Sequence, residues 1–159
     1  LPTAARSCCA FCTLACCRFA KLASTSAGGV AAAPRIPADF DTEGFLRIAK
    51  LNFVRLQAAN DVKNLDDIRE FVSPELFAEI KMQMDERGNA PQQTDVVTLN
   101  ADLLEVTTES NRHIASVHFS GTIREVVSAA AEPFDEIWNL SKSIDGNGGW
   151  VVAGIQQLN

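Results

Sequence analysis

An α+β domain of N-terminal helices packed on a curved four-strand antiparallel sheet is the fold the sequence predicts. Three observations predict it: apolar residues recur with a helical period up to about residue 88, the period changes to two after Gln93, and the loop signals are grouped accordingly. With 159 residues, 47% of them hydrophobic, the chain is long enough for one domain with a substantial core and short for two.

The first helix starts at Asp39 or Asp41, either of which can cap it, and carries Phe45, Leu46, Ile48, Ala49, Phe53, Leu56 and Ala59 on one arc. Arg47, Lys50, Arg55 and Gln57 fall on its polar side. Leu65 to Phe71 predicts a short second helix. Ser73-Pro74-Glu75 then supplies an N-cap, a first-turn proline and an acid at the positive end of the helix dipole, opening a third helix. That helix buries Leu76, Phe77, Ile80 and Met84 and stops at Gly88, a residue suited to a left-handed C-cap.

Strand alternation follows. Val97, Leu99, Ala101 and Leu103 alternate with polar residues, and a turn is expected near Ser110-Asn111. In the second strand Ala115, Val117, Phe119, Gly121 and Ile123 take one face, and Ser116, His118, Ser120, Thr122 and Arg124 the other. Phe134, Glu136, Trp138 and Leu140 alternate in the third. Asp145 to Gly149 is a glycine-rich turn before the fourth strand, Trp150 to Ile155.

Residues 1–38 read as a disordered or targeting-like leader and linker, and residues 39–159 as the domain. The leader holds Arg6, Arg18, Lys21 and Arg35 with no acid, a charge of +4; the domain holds all 20 acids against the other 10 of the 14 bases, a charge of −10. An acidic body repels phosphate backbones, so no nucleic-acid partner is expected. All five cysteines lie between Cys8 and Cys17, leaving the domain free of thiols. The apolar stretch around them is shorter than the roughly 18 to 20 residues that span a bilayer, but its length and basic flank suit the centre of a targeting peptide. Cys9 and Cys12 have the C-x-x-C spacing, with no second pair or histidine cluster at a zinc-site distance.

The helix-then-sheet order, the early Phe45-Leu-Arg-Ile-Ala-Lys-Leu-Asn-Phe-Val-Arg-Leu-Gln57 helix, Glu132-Pro-Phe-Asp-Glu-Ile-Trp138 and Gly148-Gly-Trp-Val-Val-Ala-Gly-Ile-Gln-Gln157 resemble the Tim44-like domain over about residues 42 to 158. The family is named for the inner-membrane translocase subunit that anchors the mitochondrial import motor, and includes a mitochondrial ribosomal protein and many bacterial proteins. The resemblance implies the cone-shaped α+β roll of the nuclear-transport-factor-two-like superfamily. It also implies membrane-proximal protein binding with a possible lipid contact, no catalytic residues and no cofactor. This chain looks more like the bacterial members and lacks the long arm of a motor anchor, so motor function does not carry over; association with the bacterial cytoplasmic membrane is the expectation.

Two sites follow for such a scaffold. Val117, Phe119, Phe134 and Trp138 are candidates to line an apolar cone, against the plainer reading of a sheet-on-helix core. Arg47, Lys50 and Arg55 are candidates to meet anionic lipid or a protein partner, against a solvated helix face. The rival reading is a cone-fold isomerase or hydratase with Asp102 as base and His113 or His118 as partner. It faces two difficulties: the chain has no Tyr, and Asp102 and His118 alternate away from the apolar face. Ser116 and Ser120 lack a nucleophile-elbow sequence, and the glycines at 146, 148 and 149 precede a strand rather than a helix, so neither serine hydrolysis nor a phosphate cradle is expected. No metal is expected either. The partner's identity and the oligomeric state are open.

Overall fold

The computed structural model describes residues 36–125 and 128–158. Among the described residues three helices, α1 (Thr42–Asp61), α2 (Leu65–Phe71) and α3 (Pro74–Arg87), precede four strands, β1 (Asp95–Glu109), β2 (Arg112–Arg124), β3 (Glu132–Ser143) and β4 (Val151–Gln157). The strands form one antiparallel sheet in the order β1-β2-β3-β4, the expected α+β plan. The leader, including the Cys9/Cys12 spacing, lies outside the described residues apart from its last three.

Each helix begins on a side chain that accepts an otherwise unpaired N–H. Asp41 accepts from Gly44 at 3.0 Å, Asn64 from Asp67 at 3.2 Å and Ser73 from Leu76 at 3.2 Å. Pro74 occupies the first turn of α3, and Gly88 ends that helix with φ +60° and ψ −139°, a positive-φ cap outside the left-handed helical well. Ser110 and Asn111, both at positive φ, make the two-residue hairpin between β1 and β2.

The core lies between the helices and one face of the sheet. Phe45, Ala49, Phe53, Leu56 and Ala59 of α1 are buried with Ile68, Leu76, Ile80 and Met84 of α2 and α3. They meet Ala115, Val117, Phe119, Trp138, Leu140 and Val152 of the sheet. The junction of α2 and α3 is tied to β4 by the Ser73 N–H, which donates to the Val152 carbonyl at 2.8 Å. A second aromatic group closes the start of α1, where Phe45 lies 5.3 Å from Phe40 and 4.9 Å from Trp150 between ring centroids.

Three expectations need correction. Ile48 is not on the buried arc of α1; it is 48% exposed, because the helix turns its core side through Phe45, Asn52, Phe53 and Leu56 instead. Gln57 is not on the polar side; it is buried, and its Oε1 has no hydrogen-bond partner. Val97 does not open the inward series of β1: a bulge between Val96 and Thr98 sets it outside, and Val96 takes the place opposite Ile123. A second bulge between Leu103 and Glu105 leaves Leu104 partly exposed and returns Val106 to the core.

Candidate interaction site

On the inner face of the sheet, Phe53 of α1 stands at the centre of an aromatic cluster. Its ring centroid lies 5.0 Å from Phe119, 5.0 Å from Trp138 and 5.2 Å from Phe134, the last pair stacked at 19°. Val117, Phe119 and Trp138 are buried, and Phe134 is half-buried. The four residues expected to line a cone are therefore brought together and filled from the helix side by Phe53.

One titratable group shares that face and was not singled out by the sequence reading. Glu136 pairs with Phe119 of β2, sits two residues from Trp138 on the same side of β3, and is 2% exposed. Its carboxyl accepts the Trp138 Nε1–H at 2.8 Å and the Gln157 Nε2–H at 3.4 Å. Burial pushes its pKa above the ordinary glutamate value, and the two donors, both uncharged, offset only part of the shift. The signal was in the alternation: a carboxylate at the inward parity between Phe134 and Trp138 has to be buried.

This carboxyl makes a testable contribution to stability. In the folded chain it keeps its proton to higher pH than in the unfolded chain, so the folded state binds more protons between the ordinary glutamate range and the raised value. Its contribution is fully favourable below that window and declines as pH rises through it. Glu136→Gln should therefore gain on the wild type as pH rises through that window, because an amide carries no charge to desolvate. Denaturant melts of both proteins from pH 4 to 8 measure the difference; a pH-independent gap would mean that Glu136 titrates as an exposed carboxylate.

The outer face of the sheet carries most of the other groups considered. Asp102 is exposed on β1 opposite His118 of β2, and the His118 Nε2 meets the Asp135 carboxylate of β3. His113 bonds Thr108 at 3.0 Å, and Ser116 donates to Asn139 at 2.8 Å. Asp102, His118 and Ser116 lie on the face opposite Glu136; His113 has the inward parity of Ala115 and Val117 but stands at the hairpin end of β2, in register with Lys142 rather than Glu136. Among the described residues no group of three or more His, Cys, Asp and Glu side chains is placed to hold a metal ion, and no helix is long and apolar enough to cross a membrane.

The three cations of α1 have different surroundings. Arg55 donates to Asp67 and to Glu70, the latter at 3.0 Å, and its guanidinium lies 4.7 Å from the Phe71 ring centroid; the hydrogen bond to Asp67 is the main cause of its raised pKa. Its charge ties α1 to α2. Arg47 is exposed with a 3.4 Å contact to Glu43, and Lys50 is half-buried.

Between Arg47 and the end of the helix runs a feature the single-arc reading did not isolate. Leu51 is 66% exposed, Val54 45% and Val62 74%, with Ile48 beside them and Ala58 also exposed. These residues lie opposite the buried arc, so α1 has an apolar outer stripe as well as an apolar inner one. Leu51 and Val54, apolar residues that fit no inward position, were the available signal.

No curated protein matches the chain. Among solved structures, a SEC-C motif containing protein from Rhodopseudomonas palustris is similar at 18% identity and a TM-score of 0.40, over 64% of this chain and 72% of that one. The family model of the Tim44-like domain matches residues 26–157. With most of its length matched, from upstream of α1 to the end of β4, the chain belongs to the Tim44-like domain family.

Proposed function

We propose that this domain is a non-catalytic, membrane-proximal scaffold that holds a protein partner or lipid through the outer face of α1. Family membership supports a membrane-associated interaction role in general terms. The observation that carries the reading is the exposed apolar stripe of Ile48, Leu51, Val54 and Val62 beside Arg47 and Lys50. An amphipathic surface of this kind lies in the plane of a membrane interface, with its apolar residues among the acyl chains and its cations at the headgroups. The aromatic filling of the inner face and the outward placement of Asp102 and His118 give the isomerase reading no support of its own.

Each cation near an anionic surface contributes on the order of 1 kcal/mol. Arg55 is already neutralised by Asp67 and Glu70, so Arg47 and Lys50 together supply about 2 kcal/mol, less the repulsion of a body carrying −10. Sedimentation with anionic and neutral vesicles tests this. Wild type is expected to bind anionic vesicles weakly at low salt and to lose binding near physiological salt, where the Debye length is about 8 Å. Joint replacement of Arg47 and Lys50 by Gln should reduce that binding, and Leu51→Glu should abolish it. Equal binding by all three proteins would rule out the α1 face as the lipid contact.

A further inference from the structure

Five positions of α1 recur at steps of four, three, four and three residues: Arg47, Leu51, Val54, Ala58 and Asp61. That is the spacing of a helix-packing seam, and here it lies on the outward side. Leu51, Val54 and Ala58 supply its apolar middle, and Arg47 and Asp61 stand seven residues to either side of Val54 with opposite charge. The order is self-complementary when reversed. In an antiparallel pair about a two-fold axis at Val54, each Val54 meets its own copy, each large Leu51 faces a small Ala58, and each Arg47 faces an Asp61.

We infer that the outer face of α1 packs on α1 of a second copy, antiparallel, to form a two-fold dimer. This rests on the reading of that face as the interaction surface. A two-fold interface must be complementary to itself, and size and charge both satisfy that condition along the seam. The residues flanking the seam fit as well. Ile48 comes opposite Val62, both apolar and exposed. Arg55 flanks the axis, where two copies meet like to like, but its charge is already held by Asp67 and Glu70. Asp61 accepts from the Thr94 backbone N–H and from the Thr94 Oγ1 at 2.9 Å, which fixes its position and leaves lone pairs for an arginine. One helix face on each side covers less than the roughly 1,200 Å² at which stable interfaces begin, so the dimer is weak.

Sedimentation equilibrium of the full chain, its five cysteines replaced by serine, over roughly 10 to 500 µM should show a reversible monomer–dimer equilibrium. Leu51→Glu should weaken it by at least about a hundredfold, because two copies of the change meet one interface, with circular dichroism unchanged since Leu51 is largely exposed. Orientation is read by cross-linking: in the same background a short bismaleimide should join Val54→Cys copies and not Val62→Cys copies, whose positions are far apart in an antiparallel pair. A wild type that stays monomeric throughout, a dimer indifferent to Leu51→Glu, or equal cross-linking at both positions would overturn the proposal. A monomer whose vesicle binding is still lost in Leu51→Glu would sink the dimer and leave the interaction face standing; a dimer disrupted by that substitution, with unchanged vesicle binding, would support the dimer and sink the lipid contact.

Discussion

Replacing Trp138 by alanine is expected to destabilise the domain by about 3 to 5 kcal/mol, the range for deleting a large aromatic from a packed core. The indole is 1% exposed and lies 5.0 Å from Phe53 and 5.2 Å from Phe119 between ring centroids. Its removal opens space where sheet and α1 meet, between rings that cannot all move in to fill it. A second cost follows from the Nε1–H, one of the two donors to the buried Glu136 carboxyl. Without it the carboxyl relies on Gln157, so the variant should also be more sensitive to rising pH than the wild type. Equilibrium denaturation checks both points. A loss below about 1 kcal/mol would place Trp138 outside the core.

Gly121→Ala should cost about 2 to 4 kcal/mol, although it adds a single methyl group. Gly121 has φ +157°, and a Cβ placed there would stand 2.0 Å from the carbonyl oxygen of Thr98 and 2.7 Å from its carbon. Both are backbone atoms of the neighbouring strand, held by the β1–β2 ladder. The close approach comes with the bulge at Val97, beside which the Thr98 Oγ1 accepts the Thr122 N–H at 2.9 Å. The added carbon must therefore push β1 away or dismantle the bulge. Thermal melts should show the loss, together with faster amide exchange in the first half of β1. A variant as stable as the wild type would mean that β1 can shift without cost.

The elements of this fold were legible because each carried two signals at once. The third helix had its cap, its proline and its periodic face; the strands had alternation and turn residues at both ends. The misplacements arose where one signal stood alone. In α1 the apolar residues exceed what a single inward arc can hold, and periodicity cannot say which of them the core accepts. Ile48 was drawn into the arc while Leu51 and Val54 were left without a role. A bulge adds one residue to a strand and reverses the parity beyond it, so Val96 and Val97 exchanged faces without any change in composition. Glu136 lay at the right parity, but composition leads one to expect carboxylates in water. Parity outweighed composition: its carboxyl is buried and accepts from Trp138 and from Gln157 of β4.

The two bulges of β1 also bear on how the domain behaves when crowded. β1 is an edge of the sheet and, at 15 residues, its longest strand. A straight edge of that length would template further strands and nucleate fibrils. Here the ladder is broken near both ends of the central stretch, at Val97 and Leu104, and Asp95, Asp102, Glu105 and Glu109 are spread along the strand. An incoming chain would find no long run of evenly spaced donors and acceptors, and it would bring like charge against like. The edge of β1 is thus interrupted often enough to keep copies of the domain from adding onto one another edge to edge.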